Sequence, residues 1–208
     1  MLAAVVLATA ASGGAEAKKL SLSGGASAIS WSSLTFSGLG GLITIRCPVS
    51  VAGSFHSATI AKVRGSLIGN VTGAILDQSR CTGGTATLLN GTERLPSGST
   101  AANTLPWHII YDSFTGTLPN ITGVRVGLVG LALLVNVSIL GSTVSCLYLA
   151  TAREPAFGTA LLEAGRVTGL RAEEGTSVPV ATGQPGACPS RGSFSGTATV
   201  PSTTIRLI

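Results

Sequence analysis

Residues 126–149 read VGLVGLALLVNVSILGSTVSCLYL, and no charged residue lies between Arg125 and Arg153. A stretch this long and apolar has the length of a membrane-spanning helix. Its residue types argue for strands instead. Gly127, Gly130, Asn136, Gly141 and Ser142 interrupt it, and Gly141-Ser142 divides it into two runs rich in β-branched residues, 135–140 and 143–149. Two such runs around a two-residue turn read as a β-hairpin. Because the runs are nearly continuously apolar, both faces need cover, which puts the hairpin at the centre of the core or against a partner.

The flanking chain points the same way. Of 208 residues, 45% are hydrophobic, 10% are charged and 28 are glycine, against about 25% charged in ordinary soluble domains. So few charges leave amphipathic helices without a wet face, whereas Gly, Ser, Thr, Val and Leu suit strands and tight turns. Strand-like runs occur at 31–36, 42–47, 54–63, 66–74 and 85–89, and again at 107–113, 115–118, 124–128, the hairpin, and 193–200. Glycines separate them at the spacing of a sandwich or barrel. Residues 20–29, rich in Ser and Gly, read as a loose edge strand or tether. Residues 90–103, with Asn90-Gly91 and Pro96-Ser97-Gly98-Ser99, read as a long loop or linker. Only 157–166 carries enough Ala, Leu and Glu for a short helix. The predicted class is all-β: a sandwich or barrel of short antiparallel strands with at most one short helix.

A repeat is also legible. Phe36-Ser37-Gly38, Cys47, Val71-Thr72-Gly73, Cys81 and Gly84-Thr85-Ala86-Thr87-Leu88 are followed, in the same order, by Phe114-Thr115-Gly116, Cys146, Val167-Thr168-Gly169, Cys188 and Gly196-Thr197-Ala198-Thr199-Val200. Two pseudo-repeated β units are implied, 18–103 and 104–208, either as separate units or as halves of one continuous domain, 18–208.

Residues 2–11 have the length and apolarity of a signal-peptide core, and Ala15-Glu16-Ala17 offers the small-x-small pattern of a cleavage site, although no cation precedes the core. The expected signal peptide is 1–17, with Lys18 as the first mature residue. Export means an oxidising destination, and Cys47, Cys81, Cys146 and Cys188 are even in number with no CxxC spacing. Two disulfides are expected. Of the three pairings, the repeat favours Cys47–Cys81 and Cys146–Cys188, one in each half, each contributing about 4 kcal/mol in the loop-entropy picture.

Few residues suggest chemistry. The net charge is +5, but the cations are scattered singly and aromatics are 4% of the chain, which excludes a nucleic-acid surface. His56 and His108 are the two histidines. His108 and Asp112 make the tightest acid–base pair, yet four strand steps separate them by about 13 Å. No G-x-S-x-G elbow or phosphate loop occurs, and Gly38–Gly41 and Gly83-Gly84 read as turns. Glu173-Glu174 reads as solvated, and the cysteines lack zinc-ligand spacing. Asn70, Asn90, Asn120 and Asn136 stand in glycosylation sequons, of which Asn136, inside the most apolar run, is expected to be silent.

The expectation is a non-enzymatic, exported β protein, structural or binding in role, in the cell envelope or extracellular space. No catalytic, cofactor or metal site is expected. The partner would be an envelope polymer, a lipid or a second copy, and not nucleic acid. One rival is a carrier of a lipid or small apolar ligand, favoured by a barrel cavity of roughly several hundred Å³. The other is a secreted hydrolase with His108 as its base.

Overall fold

The structure, a computed structural model, describes residues 19–23, 27–38, 41–89, 105–117, 120–139, 141–173, 177–200 and 204–207. The expected leader and its cleavage site and the whole of the 90–103 loop, Asn90 included, lie outside the described residues. Of the described residues 72% lie in strands, and none of them forms a helix of seven or more residues.

In chain order the strands are β1 (Lys19–Ser23), β2 (Ser27–Gly38), β3 (Ile43–Phe55), β4 (Thr59–Ala61), β5 (Leu67–Leu76), β6 (Thr85–Leu88), β7 (Trp107–Thr117), β8 (Asn120–Val129), β9 (Ala132–Ile139), β10 (Ser142–Leu149), β11 (Ala156–Glu163), β12 (Arg166–Ala172), β13 (Ser177–Pro179), β14 (Arg191–Ala198) and β15 (Thr204–Leu207). Strands β2, β3, β5, β7, β8, β11, β12 and β14 each pair antiparallel with the next, and β14 pairs back onto β2. The hydrogen bonds therefore close into an eight-stranded up-and-down barrel, which leaves no open edge in the ring. The ring takes three strands from residues 18–103 and five from 104–208.

Alternation along each strand sorts the residues. On β3, Ile45, Cys47 and Val49 are buried while Arg46 and Ser50 are exposed. His108 on β7 and Arg171 on β12 are likewise exposed on the outer wall. A lipid-embedded barrel has the reverse polarity, apolar outside and polar within.

Because barrel strands alternate in direction, their connections alternate between the two ends. Strands β6, β9 and β10 all leave from one end and pair as a three-stranded sheet, in the order β10-β9-β6. This sheet caps the barrel. Register places Ala86, Val135 and Cys146 in one row and Leu88, Leu133 and Tyr148 in another, and all six join the main core with Trp31, Phe36, Trp107 and Phe194. The other face of the cap buries Leu89, Ala132 and Leu147. There Ala181 N–H donates to Leu147 O at 2.7 Å, and Leu147 N–H donates to Gln184 Oε1 at 3.0 Å. These bonds hold the outer edge of β10, and at the tip of the hairpin Ser138 and Thr143 are exposed on the second face.

The second end is closed by β15, β1 and β4, with Leu20 opposite both Ile60 and Leu207. Leu20 is fully buried against Ile68, Tyr111, Ile121, Val124, Leu162 and Val167. The start of the 20–29 segment is therefore no loose tether: one apolar side chain plugs the barrel, and β2 begins at Ser27.

Two further expectations are corrected. Gly141-Ser142 is not the hairpin turn, because Ser142 pairs with Ile139 and so belongs to β10. Gly141, at φ +82°, supplies the left-handed backbone that such a tight connection needs. Residues 157–166 form no helix: β11 runs to Glu163, and Ala164 and Gly165, at φ +49° and +75°, make a tight turn into β12. Ladders to β8 and β12 on either side of β11 satisfy its backbone groups and override the helix propensity of Ala, Leu and Glu.

Two disulfides are present, Cys47–Cys81 with Cα atoms 4.3 Å apart and Cys146–Cys188 at 5.6 Å. Both lie at the capped end. The first links β3 to the approach to β6, where Arg46 and Thr82 exchange backbone hydrogen bonds. The second links β10 to the loop that enters β14.

Candidate functional site: an apolar cavity under the cap

Inside the barrel, beneath the cap, is a cavity of about 160 Å³. Its wall includes Trp31 (β2), Val71 (β5), Trp107 (β7), Leu128 (β8) and Phe194 (β14), and its roof includes Leu133 of the cap. All of the lining side chains are apolar, apart from the indole N–H groups. The space arises because small residues stand among large ones on the facing strands: Ala86 in the cap, and Ala156, Gly158 and Ala172 in the wall. The two tryptophans of the chain both face this space.

Trp31 brings one polar atom. Its Nε1 is buried and has no hydrogen-bond partner. A buried donor left unmade costs about 1–3 kcal/mol relative to a paired one. Close by, aromatic packing is tight. The Phe36 ring lies 4.8 Å from Tyr148 and 5.5 Å from Phe194 between centroids. Tyr148 O–H donates to Pro189 O at 3.0 Å, and burial pushes its pKa up to about 12.

The longest ion-pair network among the described residues stands elsewhere, on the outer wall. Asp112, with a side chain 7% exposed, accepts from Arg64 Nε at 2.8 Å and from Arg125 Nη1 at 2.7 Å. Ser113 O–H donates to it as well, at 2.9 Å. Arg125 continues to Glu173 at 2.8 Å and stacks its Cζ 3.8 Å from the Phe157 ring centroid. Thr159 O–H donates to Glu173. Burial raises the Asp112 pKa, but the hydrogen bonds from Arg125, Ser113 and Arg64 and the Arg125 charge outweigh it, so the carboxyl sits below its ordinary value. Such a group holds a charge in place and has no proton to give near neutral pH. This network clamps β7, β8, β11 and the end of β12 together.

His108 does not join it. Its Nδ1 faces Asn70 Oδ1 at 3.0 Å on the exposed wall, and Asp112 is taken by its arginines. Asn136 sits within the cap, with Ser145 donating to its Oδ1 and its Nδ2 donating to Thr85. Asn120 is exposed at the start of β8, and Asn70 is partly buried against His108. Glu173 belongs to the clamp. Among the described residues no three His, Cys, Asp or Glu side chains converge as a metal ion would need.

Neither the cavity nor the clamp was visible in spacing alone. Arg125 is 13 positions from Asp112 and Glu173 is 48 from Arg125, and only barrel closure brings these positions together. Compared with known family models, curated proteins and solved structures, the chain matches none.

Proposed function

We propose that this chain is an exported, disulfide-stapled barrel of the cell envelope or extracellular space that works by binding. The observation that carries the reading is the division across the barrel wall: the interior under the cap is an apolar cavity, while Asp112 and Glu173 stand on the outer wall, paired with Arg64 and Arg125. A catalytic barrel would turn a general base or nucleophile into the interior. The two disulfides support an oxidising destination. So does the apolar leader ending in Ala15-Glu16-Ala17.

The test is expression of the full chain in a secreting host, with N-terminal sequencing and non-reduced peptide mapping of the exported material. The reading expects a mature chain starting at Lys18 and carrying both disulfides. Retention in the cytoplasm with four free thiols would overturn it.

Within this reading, a carrier of small apolar molecules is favoured over a purely structural role by the cavity itself. The volume suits one ring or a short branched chain and is too small to enclose a lipid acyl chain, since binding pockets for larger ligands run to roughly 300–1,000 Å³.

A further inference from the structure

Cations that stand singly in the sequence are gathered by barrel closure at the end that Leu20 plugs. The connection from β3 through β4 to β5, the β11–β12 turn and the closing strands β15 and β1 all lie there, because alternate connections of an up-and-down barrel share an end. Lys62 and Arg64 stand on the first and Arg166 on the second, while Arg206 and Lys19 stand in the closing strands, opposite Ser21 and Ala61. Among the described residues of these segments the one acid is Glu163, opposite Arg166. Charges at the capped end are mixed instead: Glu154 pairs with Arg191, and Asp77 lies three positions from Arg80.

We infer that this basic end docks on an anionic phospholipid surface, with Lys62, Arg64 and Arg166 toward the lipid phosphates and Val63 at the level of the headgroups. The inference goes beyond the export and carrier readings and requires neither the cavity nor a guest.

Three observations carry it. The cations are presented to solvent: Arg64 gives its Nε to Asp112, yet its side chain is 79% exposed, and Arg166 is exposed on its turn. The Lys62 ammonium stands 5.5 Å from the centroid of the Phe114 ring, at the edge of the plug. Next, an apolar tip lies among these charges. Val63, between Lys62 and Arg64, is 61% exposed, and Leu67, just past the same turn, is 48% exposed. The turn is fixed, because Ser66 N–H donates to Val63 O at 3.1 Å and Gly65 N–H donates to Tyr111 O at 2.7 Å. Such a tip between two cations suits a surface where phosphates meet hydrocarbon, and a soluble polyanion has no use for it. Finally, the aromatic side chains of this end, Phe55, Tyr111 and Phe114, pack on the plug, which leaves no stacking platform for nucleic-acid bases. Contact is at the end of the barrel only, since the polar outer wall does not suit hydrocarbon.

The oxidised, leader-free protein is sedimented with vesicles of one part phosphatidylglycerol to two parts phosphatidylcholine, and with vesicles of phosphatidylcholine alone. It should pellet with the first and stay in solution with the second. Binding should weaken as salt rises from about 0.1 M to about 1 M and the Debye length shrinks from about 10 Å to about 3 Å. Lys62→Gln combined with Arg166→Gln should lower the partition coefficient about 25-fold, about fivefold for each cation near the surface. Arg166→Gln alone, on the exposed turn, serves if the double variant melts early. Arg153→Gln, at the capped end, should leave the coefficient unchanged. Val63→Ser should lower it about fivefold while binding to soluble polyphosphate stays as in wild type. No pelleting with the anionic vesicles, equal pelleting with both kinds, or a folded cation variant that partitions as wild type overturns the docking surface. A Val63→Ser variant that loses nothing on vesicles, or loses equally on vesicles and polyphosphate, overturns the lipid as the partner.

Discussion

A Cβ on Gly192 would stand 2.1 Å from Phe36 Cζ and 2.2 Å from Cε2, inside any permitted contact, and Phe36 is itself held between Tyr148 and Phe194. Gly192→Ala should therefore destabilise the oxidised protein by about 1–3 kcal/mol, the usual cost of overpacking a tight core, read as a lower urea midpoint. An unchanged midpoint would mean that the Phe36 ring is free to move. Asp112 tests the outer wall. Its folded pKa is lowered, so it contributes stability above its unfolded value of about 3.8 and loses that contribution as pH falls through the lower folded value. Asp112→Asn should cost about 1–3 kcal/mol at pH 7 and flatten the acid limb of the stability profile below about pH 4. An acid limb identical to wild type would remove the clamp from the account. Tyr148 behaves in the opposite sense. Its pKa is raised to about 12, so the stability it supplies is complete below about pH 10 and is lost as pH rises toward its folded value. Ultraviolet titration should show its ionisation delayed well above pH 10 in folded protein, with that step absent in Tyr148→Phe.

Elements divide into those that local pattern reveals and those that only closure explains. The hairpin of β9 and β10 was legible because two apolar, β-branched runs flank Gly141, and only Ser142 was misplaced, in the turn and not in β10, where it pairs with Ile139. The 157–166 segment was misread because helix propensity weighs Ala, Leu and Glu without knowing that β8 and β12 stand on both sides. Leu20 was misread because composition averages over its Ser and Gly neighbours and hides one buried side chain. The Gly-Thr-Ala-Thr anchors of the repeat lie in different settings, Thr85–Leu88 as an edge of the cap and Gly196-Thr197-Ala198 at the end of barrel strand β14. Since both disulfides tie the capped end, their loss should act there first. Replacing Cys146 and Cys188 together by alanine should cost about 2–4 kcal/mol. Tryptophan emission, which reports the space under the cap, should then shift at lower denaturant than the loss of β-sheet dichroism. Coincident transitions would show that the cap does not open apart from the wall.

Across the whole molecule, a ring of eight strands encloses an interior that side chains nearly fill, plugged at one end around Leu20 and roofed at the other by the disulfide-anchored cap. All-β class and antiparallel short strands followed from composition and spacing, but the cavity did not, because its volume is what remains after Ala86, Ala156, Gly158 and Ala172 are set against Trp31, Trp107 and Phe194. That remainder depends on register, and a one-residue slip on any strand would turn its side chains to the other face. The central claim is that the space is real, apolar and open to a guest. Crystals of the oxidised, leader-free protein under xenon pressure test it most directly, since xenon enters dry apolar cavities of this size. The account predicts a xenon site within the barrel, between Trp31, Trp107 and Leu133. An interior filled by collapsed side chains, or one that holds hydrogen-bonded water and excludes xenon, would contradict it.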